Sequence, residues 1–183
     1  DGDTNTDAVI YSKSDLVLNG KGTLNISSTA NGVSGKDDLK ITGGSYVVSA
    51  AEDAFEANDS IAGYNGSFDI TSQKDAFHSE NSDDDTKGYV YIKDGSFKIS
   101  AGDDGVQATS YLMMDGGSLD ITGTEGLEGT YVQINGGTII ISASDDGINA
   151  TQKSSAYNVV IEVNGGDITV VMGSGDTDGF DAN

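Results

Sequence analysis

The sequence contains no cysteine, no proline and no tryptophan, and its nine basic residues are all lysine. The absence of cysteine excludes disulfide bonds. Proline would remove a backbone donor from a β ladder, so its absence suits a chain built from closely hydrogen-bonded strands. No apolar run approaches the length needed to cross a bilayer, and we therefore expect no membrane insertion.

Positive charge is also scarce, because 30 acidic residues against nine lysines give a formal net charge of −21. Such a surface repels nucleic acid and anionic membranes, so we expect neither as a partner. The charge is explained either by the solubility of a secreted or halotolerant protein or by a need for divalent cations. The acids recur at fixed positions of a repeat, which favours the second explanation.

The repeat is clearest in residues 95–108, where a glycine opens a short alternation of apolar and polar residues. An acidic turn and a second alternation follow, and the unit recurs at intervals of 20 to 29 residues. Two intervals are lengthened by insertions, a first insertion around residues 82–88 and a second insertion around residues 153–158. The opening glycines are Gly22, Gly44, Gly66, Gly95, Gly117, Gly137 and Gly166.

Each repeat holds three short alternating runs, of which 90–92, 97–99 and 106–108 are examples. Alternation with a period of two makes one side of each run apolar, and stacking of coils is needed to bury that side. The pattern predicts an all-β fold, a parallel β-helix with three strands per coil and about seven coils of roughly 22 residues. Crossover chirality favours right-handed winding.

We expect one β-helix domain over residues 1–183. The chain ends on an open copy of the repeat at 178–183, without a recognisable cap for the exposed strand edges. We therefore expect either that the domain continues beyond this point or that another segment covers this end.

Acidic residues recur at the turn after one strand of each coil, where stacking would bring them together. Carboxylates at such spacing raise each other's pKa or bind cations, and calcium takes six to eight oxygen ligands. For any single aspartate, the alternative is a turn cap that accepts a backbone N–H. The candidate calcium ligands are Asp53, Asp75, Asp103, Asp104, Glu125, Asp145 and Asp146 at this corner, and Asp37 and Asp38 at a second corner.

The strand after the acidic corner carries a row of outward-facing amides, hydroxyls and carboxylates. Such a strip suits sugar hydroxyls, although an ordinary solvated sheet face has the same composition. The candidate carbohydrate-binding residues are Glu56, His78, Glu80, Gln107, Glu128 and Asn149. Tyrosines are further candidates for stacking on sugar rings, namely Tyr64, Tyr89, Tyr91, Tyr111 and Tyr131.

Three strings at the acidic turns, KDAFHS (74–79), TEGLEG (124–129) and DDGINA (145–150), resemble those of a known family. It is the bacterial family of carbohydrate-binding right-handed β-helix domains, formerly described as a domain of unknown function and similar in shape to polysaccharide lyases. The resemblance covers residues 20–183. It implies a secreted, calcium-binding domain, extracellular or at the cell surface, that binds cellulose or acidic pectin-type polymers such as polygalacturonate.

Three functions stay open on this basis. The first is a calcium-requiring polysaccharide-binding module, the second a calcium-dependent lyase acting by β-elimination, and the third a structural or adhesive repeat protein. The base in β-helix lyases is usually arginine or lysine, and this chain has no arginine. We expect a monomeric binding module rather than an enzyme, and we assign no catalytic residue.

Overall fold

The computed structural model describes residues 8–175 and 177–183. Within these residues all regular structure is β, with 20 strands. The strands pair in parallel throughout the described part of the chain. None of the described residues form a helix long and apolar enough to cross a membrane.

Successive strands run round a three-sided coil, and strands that stack on each other define three faces. Face 1 comprises β1 (Ala8–Ser12), β4 (Asn31–Gly35), β7 (Phe55–Ala57), β10 (Phe77–Ser79), the first parts of β13 (Val106–Met114) and β15 (Leu127–Ile134), β17 (Ile148–Ala150) and β20 (Phe180–Ala182). Face 2 comprises β2 (Leu16–Leu18), β5 (Asp38–Ile41), β8 (Ser60–Gly63), β11 (Tyr89–Ile92), the second parts of β13 and β15, and β18 (Val160–Val163). Face 3 comprises β3 (Thr23–Ser28), β6 (Ser45–Ala50), β9 (Ser67–Ser72), β12 (Ser96–Ser100), β14 (Ser118–Gly123), β16 (Thr138–Ala143) and β19 (Asp167–Met172).

This arrangement confirms the predicted parallel β-helix. Face 3 is a sheet of seven strands, one for each coil. Faces 1 and 2 belong to one sheet because β13 and β15 each run through the corner between them as one strand, with a shift of register between Ala108 and Tyr111. The right-handed direction of winding stays a prediction from crossover chirality.

The core lies inside the coils and is made by the apolar member of each alternation. Aromatic rings fill it in the early coils, where Tyr46, Phe68 and Phe97 of face 3 stack with centroids 5.0 and 4.5 Å apart. Phe55 and Phe77 of face 1 stack at 5.0 Å and meet the face 3 rings edge to face. Aliphatic residues replace the rings in the later coils, so side-chain stacking continues along the prism.

The opening glycines form the turn from face 2 to face 3. Six of the seven have a positive φ, a conformation that other residues rarely adopt, and Gly22 in the first coil is the exception. At Gly95 (φ 132°) a Cβ would also lie 2.9 Å from the ring of Phe97. The turn therefore requires glycine for both conformational and steric reasons.

Candidate functional site

The turn from face 3 to face 1 forms an acidic corner in which carboxylates tie each coil to the next. Asp53 Oδ1 accepts the backbone N–H of Asp75 at 3.0 Å, and Asp75 Oδ1 accepts that of Asp104 at 2.8 Å. Asp146 receives the N–H of Asp178 in the same way at 2.8 Å. Each carboxylate thus bonds to the equivalent residue of the following coil, which is a different role from capping its own turn.

Glu125 interrupts this ladder because its longer side chain reaches a different partner. Its two carboxylate oxygens accept the amide of Asn149 at 3.1 and 3.2 Å. The preceding carboxylate, that of Asp104, receives the amide of Gln107 at 3.1 Å, and the same amide donates to Glu128 at 2.7 Å. The middle of the corner therefore packs several carboxylates around few donors.

Three groups of side chains in the described residues bring potential metal ligands within 4.8 Å of one another: Asp53–Asp75–His78, Asp75–Asp103–Asp104 and Asp104–Glu125–Glu128. The second and third groups offer only oxygen ligands, as calcium prefers. The first adds an imidazole nitrogen, a ligand more typical of zinc and other transition metals. In the third, the Lys153 ammonium lies 2.8 Å from Glu128 and already supplies positive charge.

Burial and mutual repulsion disfavour the ionised forms of these carboxyls. Burial, with a smaller contribution from Asp53 and Asp103, raises the pKa of Asp75 to about 6 despite its bond from the Asp104 N–H. Burial and the charge of Glu128 raise the pKa of Glu125 to about 7. Burial and the neighbouring carboxylates also raise the pKa of Asp104. A cation at this corner would reverse these shifts.

His78 belongs to the outward-facing row of face 1, and its ring reaches back to the acidic corner. Its Nδ1 is 3.3 Å from Asp53 and 3.5 Å from Asp75, and its Nε2 is 3.5 Å from the exposed Glu80. Burial opposes the charge on the ring, but the bond to Asp53 and the surrounding carboxylates outweigh it and raise the pKa of His78. Protonated His78 would compete with a metal ion for the same oxygens.

The remaining candidate calcium ligands lie apart from these groups. Asp145 is exposed and Asp146 belongs to the hydrogen-bonded ladder. At the second corner, which joins faces 1 and 2, Asp38 accepts the hydroxyl of Ser60 at 2.7 Å and Asp37 is half-buried. A lysine, Lys87, lies 2.7 Å from the neighbouring Asp59 and offsets part of the negative charge there.

The candidate carbohydrate-binding residues of face 1 stand in register on successive coils, as the alternation predicts. The paired positions are Glu56, His78, Gln107, Glu128 and Asn149. Their polar groups are largely engaged, however: Glu56 accepts from Asn31 at 2.7 Å and from Ser34 at 2.8 Å. Glu128 and Asn149 are buried. The row is thus an internally bonded strip with few free donors or acceptors.

Face 2 carries a different surface, the tyrosine face, made of Tyr64, Tyr89, Tyr91, Tyr111, Tyr131 and Tyr157. The Tyr111 ring lies 5.0 Å from Tyr131 and 5.8 Å from Tyr157, and Tyr64 meets Tyr91 edge to face at 5.8 Å. Five of these rings, with Met113, line a groove of about 350 Å³. Most of them belong to strands, whereas Tyr157 comes from the second insertion.

The outward orientation of some of these tyrosines could be predicted from the sequence. Tyr89, Tyr111 and Tyr131 directly precede the inward residues Val90, Leu112 and Val132, so alternation places them outside. The sequence gives no comparable signal for Tyr157. Its place depends on the second insertion, where Ser154 donates to the Asp85 carbonyl of the first insertion at 2.6 Å.

A parallel β-helix with an acidic corner on one side and half-buried to exposed tyrosine rings on another is a repeat protein whose coils present two chemically different surfaces. The sequence profile of the family described as carbohydrate-binding domain-containing protein matches residues 1–179, and the chain belongs to this family. A protein of Acetivibrio thermocellus with the same description is 43% identical over 121 residues, which are 66% of this chain and 42% of the relative. The chain therefore matches less than half the length of that relative. No solved structure matches the chain.

Proposed function

We propose that this chain is a calcium-requiring module, secreted or displayed at the cell surface, that binds plant cell-wall polysaccharides as a monomer. Membership in the carbohydrate-binding family supports the ligand class. Within this class, the charge of the protein surface decides how the module binds neutral polymers such as cellulose and acidic polymers such as polygalacturonate.

The observation that carries the calcium requirement is the all-oxygen group Asp75–Asp103–Asp104. In the part of the chain that the structure describes, no lysine forms an ion pair with any of these three residues. Asp75 and Asp104 are buried, so their charges are costly without a cation. Calcium at this position would neutralise the corner, and Asp103, which is exposed, marks the side open to solvent.

A calcium ion at an exposed corner also provides a route to acidic polymers. A protein of net charge −21 repels a polyuronate chain unless cations bridge the two. Binding of polygalacturonate should therefore depend on calcium, whereas binding of neutral cellulose should depend on it much less.

The experiment compares retention of the protein on insoluble polygalacturonate and on cellulose, in millimolar calcium and in excess chelator. We expect retention on polygalacturonate only with calcium. An Asp75→Asn/Asp104→Asn variant should lose this retention, and the control Asp69→Asn/Asp120→Asn, which removes the same charge from exposed positions of face 3, should keep it. Equal retention of the wild type after chelation would contradict the bridging role of calcium.

The same samples test the alternative of lyase activity through the absorbance of unsaturated products. Lys74, the lysine nearest the acidic corner in sequence, ion-pairs with Glu52 at 3.5 Å. We expect no turnover. Clear turnover by the wild type that a Lys74→Ala/His78→Ala variant loses would replace the binding module with an enzyme.

A further inference from the structure

Six of the eight tyrosines of the chain lie together on face 2 and its adjoining turns. We propose that this tyrosine face is a binding surface for neutral sugar polymers, on which pyranose rings stack against the phenol rings. The inference rests on the proposed carbohydrate-binding function and assigns it a second surface. Aromatic rings bury a large apolar area at low entropic cost, which suits the apolar faces of a sugar ring.

The rings are held in place before any ligand arrives. Tyr91 donates its hydroxyl to Asp115 at 2.6 Å, Tyr111 donates to Gln133, and Tyr131 donates to Glu162. Side chains that are already ordered lose little conformational freedom on binding. Tyr89 is 38% exposed and leaves an aromatic surface open to solvent.

The groove gives these rings a continuous surface across several coils. It is lined by Tyr64, Tyr89, Tyr91, Tyr111 and Tyr157, and it has a volume of about 350 Å³. The lining residues come from β8 and the turn after it, from β11 and β13, and from both insertions, so the groove exists only in the folded molecule. An open groove of this kind accommodates a chain segment rather than a single enclosed sugar.

The charges around the groove favour a neutral polymer. Asp115 and Glu162 border the tyrosines, accept hydrogen bonds and would repel a uronate. The two nearby lysines, Lys40 and Lys93, lie over the Tyr64 ring at 4.8 and 5.8 Å from its centroid, at one end of the face. Face 2 is opposite the corner between faces 3 and 1, so this surface is separate from the acidic corner.

The test measures binding of cello-oligosaccharides and hydroxyethyl cellulose by titration calorimetry in excess chelator. Tyr89→Ala/Tyr157→Ala removes two of the three rings whose hydroxyls make no hydrogen bond within the described residues, whereas those of Tyr91, Tyr111 and Tyr131 do. The matched control, Val47→Ser/Ile140→Ser, removes two exposed apolar side chains of face 3. We expect affinity for the neutral glucans to fall by about tenfold or more in the tyrosine variant and to stay unchanged in the control.

Further measurements distinguish failure of this inference from failure of the proposed function. Calcium-dependent retention on polygalacturonate should be unchanged in the tyrosine variant, which shows that the variant is folded. Wild-type affinity for neutral glucan in the tyrosine variant would overturn the inference, as would a wild type that binds polygalacturonate alone. A wild type that binds neither polymer would also overturn the proposed function.

Discussion

At the scale of single residues, the carboxylates of the acidic corner have two properties that oppose each other. The Asp75 oxygen accepts the backbone N–H of Asp104 and so satisfies a donor in a buried turn. Its charge, in contrast, is unfavourable in this environment, as the pKa of about 6 indicates. The hydrogen bond stabilises the stack, and the charge destabilises it unless a cation is bound.

Substitutions at Asp75 separate these two properties. In chelator, Asp75→Ala should lower the free energy of unfolding by about 1–3 kcal/mol, because it leaves the Asp104 N–H without a partner. Asp75→Asn keeps an acceptor oxygen and removes the charge, so we expect it to be neutral or stabilising. Urea denaturation measures both. Equal destabilisation by asparagine and alanine would show that the hydrogen bond between the coils does not contribute to stability.

At Glu128, the Lys153 ammonium already supplies a positive charge to a buried carboxylate, and its removal tests how much such a charge stabilises the fold. Its ammonium contacts Glu128, whose side chain is 8% exposed. Lys153→Ala should cost about 1–3 kcal/mol because it removes the cation from a buried carboxylate and leaves it only the Gln107 amide as a donor. The addition of Glu128→Gln should recover most of that loss, as measured by urea denaturation at neutral pH in chelator. A double variant no more stable than Lys153→Ala would contradict the pairing.

At the scale of elements, the strands and their faces could be predicted because the alternation of residues such as Val90, Tyr91 and Ile92 is visible in a single sequence. The continuation of β13 from face 1 into face 2 could not be predicted, because Thr109 and Ser110 carry no signal that distinguishes a corner from a continuous strand. The bonds between Asp53, Asp75 and Asp104 were also missed. They join residues 22 and 29 positions apart, and the register across loops of different length decides them.

The acidic corner as a whole predicts an unusual dependence of stability on pH. An unfolded aspartate or glutamate has a pKa of about 4, whereas the folded pKa values of Asp75 and Glu125 are about 6 and about 7. The folded state therefore binds protons more tightly than the unfolded state, so stability is greatest at low pH and falls as pH rises from about 4 to about 7. The raised pKa of His78 acts in the same direction.

In excess chelator, the melting temperature should consequently rise by about 5 °C or more between pH 7.5 and pH 5. In millimolar calcium the rise should be smaller, because the cation stabilises the ionised carboxylates. Thermal melts across this pH range make the comparison. A melting temperature that falls steadily from pH 7.5 to pH 5 in chelator would contradict the assigned pKa shifts.

At the scale of the whole molecule, about seven coils spaced about 4.8 Å apart form a prism on the order of 34 Å long. Its acidic corner and its tyrosine face lie on opposite sides. The proposed calcium site and the proposed sugar-stacking surface would therefore engage an acidic and a neutral polymer on different sides of the molecule. The relative from Acetivibrio thermocellus extends well beyond the matched region, so further segments are part of at least one protein of this family.

Calorimetric titration of the metal-free protein with calcium tests the central claim most directly. The wild type and an Asp69→Asn/Asp120→Asn/Asp167→Asn control, altered at exposed positions of face 3, should bind calcium with the same affinity. The Asp75→Asn/Asp103→Asn/Asp104→Asn variant should bind about tenfold more weakly or not at all, because ligand charge sets calcium affinity. Absence of binding by the wild type, or equal affinity in the corner variant, would contradict the account.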